Sequence, residues 1–270
     1  MVKCHLYAPE TSCPESSFLF FHCSSERIRI FKLYVRKAFY RGGTSNANMN
    51  LQDIKNKIPK DIIPILEKEG IQELRRSQEK AVKAGLLERK SLLICTPTAS
   101  GKTLIAEFAA TKSIIEGVGK AIYIVPLIAL ANEKYTEFDR KYSSLFNVGQ
   151  SSGDMDSSDA FLAEKDFIVC TAEKLDSLIR HDAPWLKYVK TVIIDEIHLL
   201  NDVTRGPTLE ILITLLKKLI PDIQLVGLSA TIGNPEELAM WLEATLVIDT
   251  WRPVKLEQGV YSDGQIDFKD

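Results

Sequence analysis

Residues 92–106 read L-L-I-C-T-P-T-A-S-G-K-T-L-I-A: an apolar run, a loop of small residues, and the opening of a second apolar stretch. The run 91–95 predicts a buried strand. Leu104, Ile105, Phe108, Ala109 and Ile115 then recur at helical spacing before Gly117, which predicts a helix starting near Gly101. A strand entering a helix through such a loop aims successive backbone N–H groups, and the helix's positive end, at one point that suits a polyphosphate. Lys102 can reach the β and γ phosphates and the Thr103 hydroxyl is placed to hold Mg²⁺, as the G-x-x-x-x-G-K-[ST] mechanism requires. Thr98, Ala99, Ser100 and Gly101 complete the cradle. Thr96 departs from that pattern, standing where its first glycine would be.

Outward from this loop, apolar strands are expected at 121–125, 167–170, 191–194, 223–228 and 246–248. Helices are expected near 127–141, 172–180, 207–219 and 235–242, the last capped by Asn234 with Pro235 in its first position. Upstream, a helix is expected over 62–69, with Asp61 as its cap and Pro64 in its first turn, and another over 77–88. Residues 150–158 are polar enough for a long surface loop. Continuously apolar strands alternating with helices imply an α/β fold, a mostly parallel sheet covered on both faces, with ligands at the carboxyl ends of the strands.

The strand at 191–194 runs into D-E-I-H. Asp195 would emerge at the same sheet edge as Lys102, suited to hold Mg²⁺ opposite Thr103, and Glu196 can orient and deprotonate an attacking water. An acidic turn after an apolar strand is common, but a phosphate loop about 90 residues upstream supplies the complementary half of one phosphoryl-transfer site. His198 alone reads as a satisfied surface or core histidine. In this setting it could link the nucleotide site to Ser229-Ala230-Thr231.

The 270 residues allow one large domain, or one ordinary domain with tails. Apolar content of 45% and charged content of 26% are those of a globular protein, and no apolar run approaches the ~20 residues of a membrane span. A net charge of −2 gives no bulk sign of nucleic-acid binding, so any such reading must rest on specific residues. The five cysteines are an odd number, and Cys95 and Cys170 lie in apolar runs, which points to a reducing cytoplasm rather than a disulfide framework. Cys4, Cys13, Cys23, His5 and His22 lack the spacing of a zinc site. Residues 1–48 have no strand or helix periodicity; they read as a disordered or misassigned leader, or as a basic arm over 27–41, with Met49 opening the folded protein.

T-P-T-A-S-G-K-T, D-E-I-H and S-A-T, in this order, resemble motifs I, II and III of superfamily-two helicases. I-Q-E-L-R-R-S-Q, V-P-L-I-A-L-A-N-E-K-Y, T-A-E-K-L-D-S-L-I-R, R-G-P-T-L-E, G-L-S-A-T-I-G-N-P-E-E-L-A and W-R-P-V narrow the resemblance to the archaeal DNA-repair helicases of the Ski-like branch, over about residues 49–260. That resemblance implies a RecA-like, ATP-binding first lobe at 49–250 and an exit segment at 251–270 leading to a second RecA-like lobe outside this chain. It implies ATP and Mg²⁺ as cofactors, single-stranded or forked DNA as partner, 3′ to 5′ movement, and work in DNA repair or replication-fork processing. Two alternatives stay open: an RNA helicase lobe of the same branch, and a stand-alone ATP- or nucleic-acid-binding module without turnover.

By the same resemblance Gln78 would read the adenine edge, for which its amide offers a donor and an acceptor. The segments 126–131 and 171–175, with Pro126, Ala129, Thr171 and Lys174, would grip the single-strand backbone. Arg205 would contact DNA or brace the lobe. The chain departs from the family at Ala99, where many such ATPases have glycine, and at Ile128, where a basic residue is usual.

Overall fold

The computed structural model describes residues 29–32, 49–151, 160–251, 258–262 and 265–268. The chain divides into two units, one running Ala47–Trp251 and one drawing on both chain ends. Strand β1 (Arg29–Lys32) comes first in the chain and belongs to the second of these.

The larger unit opens with three short helices, α1 (Leu51–Ile54), α2 (Ile63–Lys68) and α3 (Arg76–Lys83). Strand and helix then alternate: β2 (Leu92–Cys95), α4 (Lys102–Ile115), β3 (Lys120–Val125), α5 (Ile128–Tyr142), β4 (Val148–Ser151), β5 (Phe167–Thr171) and α6 (Ala172–Arg180). There follow β6 (Val189–Ile194), α7 (Gly206–Leu219), β7 (Gln224–Ser229), α8 (Pro235–Leu242) and β8 (Thr245–Ile248). The seven strands form one sheet in the order β4-β5-β3-β6-β7-β2-β8, and every pairing in it is parallel. This is the fold expected from the alternation.

The two-residue period of a strand explains why the middles of the inner strands are apolar at successive positions. Leu92, Ile94, Tyr123, Val169 and Val226 point into one core, with apolar side chains of α1 to α5. Their neighbours Leu93, Cys95, Ile122, Ile168 and Leu225 point into the other, against α6, α7 and α8. Both faces are covered, so the inner strands are buried almost throughout, and exposure concentrates on the edge strand β8, where Thr245 and Ile248 are exposed. Each fully buried aliphatic or aromatic side chain stabilises the lobe by about 1.5–3 kcal/mol.

Several boundaries differ from the sequence expectation. α3 stops at Lys83 rather than 88, because Gly85 adopts a left-handed φ of +102° and Lys90 N–H donates to its carbonyl at 3.0 Å. Asp61 does not cap α2; it falls inside a 3₁₀ turn, Lys60–Ile62, that already leads into the helix. Asn234 precedes α8 but donates its side-chain amide to Glu237 at 3.1 Å instead of capping the backbone. β4 occupies Val148–Ser151, overlapping the start of the expected loop. It is an edge strand, held by backbone bonds that need no side-chain pattern. Residues 152–159 lie outside the described residues.

The smaller unit is an antiparallel sheet of β1, β9 (Gln258–Ser262) and β10 (Gln265–Phe268), ordered β1-β9-β10. Ile30 faces Val260 and Arg29 faces Tyr261. β1 lies within residues 1–48, and its partner is more than two hundred residues away, so local periodicity does not reveal it. The other leader residues, with Cys4, Cys13, Cys23, His5 and His22, lie outside the described residues. Among the described residues, no helix is long and apolar enough to cross a membrane.

Candidate functional site

The parallel sheet brings the carboxyl ends of β2, β7 and β6 side by side, and the sequence motifs sit there. β2 aligns with β7 so that Cys95 faces Ser229, and the Thr96 N–H extends the ladder by donating to the Ser229 carbonyl at 3.2 Å. The chain then turns through residues 97–101 into α4. Lys102 is the first residue of that helix, and its ammonium donates to the carbonyls of Thr96, at 3.0 Å, and Ser229, at 3.1 Å. A side chain of the loop helix is thereby tied to the end of the neighbouring strand.

The loop is held open by backbone conformation and by side chains from α3 and the residue before it. Gly101 has φ +93°, and a Cβ there would run into the Gln78 amide, so glycine is required both for its dihedral and for its lack of a side chain. Ala99 also lies in the left-handed region, at φ +64°, a conformation that costs an L residue about 1–2 kcal/mol. That strain explains why glycine is the easier choice at this position. Arg75 donates to the Ala99 carbonyl at 2.8 Å, Ser77 to the Ser100 carbonyl at 3.2 Å, and Gln78 to the Gly101 carbonyl at 3.0 Å. Three consecutive carbonyls of the loop are thus occupied by side chains from one neighbouring segment. Thr96, in the first-glycine position, is fully buried, and its hydroxyl pairs with that of Ser100 at 2.7 Å across the base of the loop.

Gln78 is 4% exposed, with its carbonyl oxygen accepting from the Arg75 N–H at 2.8 Å and its amide nitrogen on Gly101. The structure therefore gives it a bracing position, in which these two bonds use one acceptor site and one donor hydrogen of its amide. Arg75 and Ser77 were not singled out from the sequence. Their signal is only their neighbourhood to Gln78, because nothing local marks a side chain that reaches a loop more than twenty residues ahead.

Asp195 follows β6 and its carboxylate is fixed at both oxygens: Oδ1 accepts from the Glu196 N–H at 3.0 Å and Oδ2 from the Tyr123 hydroxyl at 2.9 Å. Tyr123 lies on the adjoining β3, fully buried; burial first, and then the Asp195 charge, push its phenol well above the usual value, so it remains a donor. Within an apolar run Tyr123 reads as core, and only the β3–β6 pairing reveals its second task. Glu196 stands at φ +51°, an uncommon conformation of the kind that gathers at functional sites. His198 Nδ1 lies 3.2 Å from Glu196 Oε2. Ser229 is fully buried at the end of β7, and Thr231 is exposed two residues beyond it.

The donor set suits a magnesium nucleotide. Thr103 and Asp195 offer hard oxygen ligands, and among the described residues there is no cluster of three or more His, Cys, Asp or Glu side chains that would enclose a metal by itself. Mg²⁺ characteristically shares its shell with phosphate oxygens and water.

The expected strand-gripping residues divide. Pro126 is half-buried, Ala129 is exposed and Ile128 is 52% exposed at the start of α5. Pro126, Asp195, Glu196 and Arg205 line one small cavity, which joins this edge to the acidic motif. Thr171 instead caps α6, accepting from the Lys174 N–H at 3.3 Å, and Lys174 is only 3% exposed. Neither presents its side chain to solvent.

Residues 75–238, more than half of the chain, match the family model described as DEAD/DEAH box helicase. The chain belongs to the DEAD/DEAH box helicase family. Membership implies nucleotide binding. Among the relatives of this DEAD/DEAH chain, the ATP-dependent DNA helicase Hel308 of Pyrococcus abyssi is 49% identical over 213 residues, covering 79% of this chain and 29% of that protein. Hel308 of Methanocaldococcus jannaschii is 51% identical over 214 residues, covering 77% of this chain and 18% of that protein. The chain spans less than a third of the length of these curated relatives. Among solved structures, the DUF1998 helicase MrfA bound to DNA superposes with a TM-score of 0.64 at 27% identity, over 72% of this chain and 30% of that one. MrfA bound to DNA and AMPPNP gives 0.66 at 26%, over 76% and 31%.

Proposed function

We propose that residues 49–250 are the ATP-binding lobe of an ATP-dependent DNA helicase that works on single-stranded or forked DNA with 3′ to 5′ polarity, in repair or fork processing, in the cytoplasm. The observation that carries the nucleotide half is the junction at one sheet edge: Lys102 tied across β2 and β7, with the doubly anchored Asp195 on the next strand. The DNA half rests on the relatives, whose names are those of DNA helicases, and on MrfA.

In this reading Lys102 leaves its two carbonyls to neutralise the β and γ phosphates, while the N–H groups of residues 98–103 line the anion. Thr103 and Asp195 would hold Mg²⁺, Gln78 would meet the base, and Glu196 would orient and deprotonate the attacking water. His198, Ser229 and Thr231 pass the state of that site to the strand-binding edge, where Pro126, Ala129 and Arg205 are the surface contacts; Thr171 and Lys174 shape the edge from beneath. Mg·ATP supplies the electrophilic phosphorus and the charge neutralisation of its own leaving group.

A second RecA-like lobe would complete the machine. In two-lobed helicases an arginine from that lobe stabilises the γ-phosphate charge, a contribution of about 10³–10⁵ in rate. The test is steady-state ATPase with saturating single-stranded DNA or RNA, for this chain alone and for a version joined to a second lobe. DNA-stimulated turnover confined to the joined protein is expected. Equal stimulation by RNA would favour an RNA helicase, and no turnover in either form would favour a binding module.

A further inference from the structure

The phosphate-loop helix carries a buried carboxylate that the proposed chemistry does not use. Glu107, 3% exposed, accepts from the Tyr142 hydroxyl at 2.5 Å and from the Lys141 ammonium at 2.9 Å. Lys141 also donates to Glu137 at 2.8 Å, and Glu137 accepts at its other oxygen from Lys134, again at 2.8 Å. The Lys134 ammonium then reaches the Thr103 hydroxyl at 3.4 Å. Positions 134, 137, 141 and 142 form one stripe of α5 turned toward α4, spaced by three, four and one residues. Two ammonium groups face two carboxylates, so the cluster is balanced in charge. Lys134 is further held beside the Phe138 ring, 5.9 Å from its centroid.

The chain of contacts ends on the hydroxyl that the proposed function gives to Mg²⁺. We propose that Lys134 is a positioning residue that occupies the Thr103 hydroxyl in competition with the divalent cation, and that metal loading transfers its ammonium wholly to Glu137. This rests on the reading of Thr103 as the metal-holding hydroxyl. A cation bound to that oxygen lies about 2.1 Å from it. An ammonium 3.4 Å from the same oxygen would then face a doubly charged ion across a few ångströms of partly buried protein, where like charges repel strongly. Glu137, already in contact and with its second oxygen on Lys141, is the acceptor ready to take the displaced group. Lys134 lies less than two turns from Ile128, on the helix whose first turn forms the proposed strand-binding edge, so the exchange takes place on the element that carries that edge.

The experiment is binding of a fluorescent ATP analogue to this chain, titrated with Mg²⁺, in the wild type, in Lys134→Met, and in Lys134→Met with Glu137→Gln. The double variant keeps one cation, Lys141, opposite one buried carboxylate, Glu107, and so removes the competing ammonium without leaving an unpaired charge. Both variants are expected to lower the Mg²⁺ half-saturation about ten-fold, equivalent to about 1.4 kcal/mol, while magnesium-free analogue binding stays within two-fold of wild type. An unchanged or raised half-saturation in the double variant overturns the proposal and leaves Lys134 a structural ion-pair partner. Absence of analogue binding by the wild type at every Mg²⁺ concentration would instead defeat the nucleotide reading, and this inference with it.

Discussion

The loop at 96–103 and the segment at 126–131 both follow central strands at the same edge of the sheet, yet they are built in opposite ways. The loop is fixed before any ligand arrives: three of its carbonyls are held by Arg75, Ser77 and Gln78, its base is pinned by the Thr96–Ser100 hydroxyl pair, and Lys102 is tethered to two carbonyls. The segment instead begins its helix with Leu127 and Ile128 about half exposed. Preorganised donors are what a site needs where charge must be stabilised during reaction. A surface that slides along a backbone gains less from rigid polar fixtures, so the difference fits the proposal that the loop carries the chemistry and the segment the strand contact.

The strongest way to break that division is Glu196→Gln. With a second lobe supplied, hydrolysis should fall by about 10²–10⁴, the usual worth of a general base, while analogue affinity stays near wild type. Comparable loss of binding and hydrolysis would mean that Glu196 holds the nucleotide rather than the water.

A second effect comes from the phenols beneath the loop side. Burial and the neighbouring carboxylates, Asp195 for Tyr123 and Glu107 for Tyr142, raise both phenols above their ordinary value. A group whose folded pKa is raised gives stability that is complete below its unfolded pKa and is lost as pH rises above it. Above about pH 10 each tyrosine should therefore steepen the loss of stability by about 1.4 kcal/mol per pH unit. Denaturant unfolding between pH 9 and 11 checks this: Tyr123→Phe and Tyr142→Phe should each flatten the alkaline decline, and an unaltered slope would show that the hydroxyls titrate normally.

Arg75→Ala should be milder. It removes one partly exposed bond to the loop, worth about 1 kcal/mol, and should weaken analogue binding roughly five-fold without a matching change in single-strand affinity. Equal weakening of both ligands would erase the distinction between the two regions. Smallest is Ile128→Lys, which adds a phosphate partner to the contact region. The salt dependence of single-strand binding should steepen by at most about 0.7 in log–log slope; no change would place Ile128 off the nucleic-acid track.

The fold was legible because each central strand contains a short apolar run, and the motifs were legible because a phosphate loop is local chemistry written in consecutive residues. What escaped was relational. Tyr123 becomes the partner of Asp195 only when β3 is laid beside β6, and Lys134 meets Thr103 only when α5 packs on α4. Thr171 and Lys174 carried a motif but not their burial, which depends on how α6 seats itself. β4 and β1 are short strands whose register is set by their partners rather than by their own pattern.

The most direct test of the central claim, that the 96–103 loop is a prebuilt phosphate site, is an equilibrium titration of a fluorescent ATP analogue against wild type and Lys102→Ala, with thermal melts of both. Wild type should bind saturably, and Lys102→Ala should lose measurable binding while melting within a few degrees of wild type. Undiminished binding by a folded Lys102→Ala protein would contradict the account.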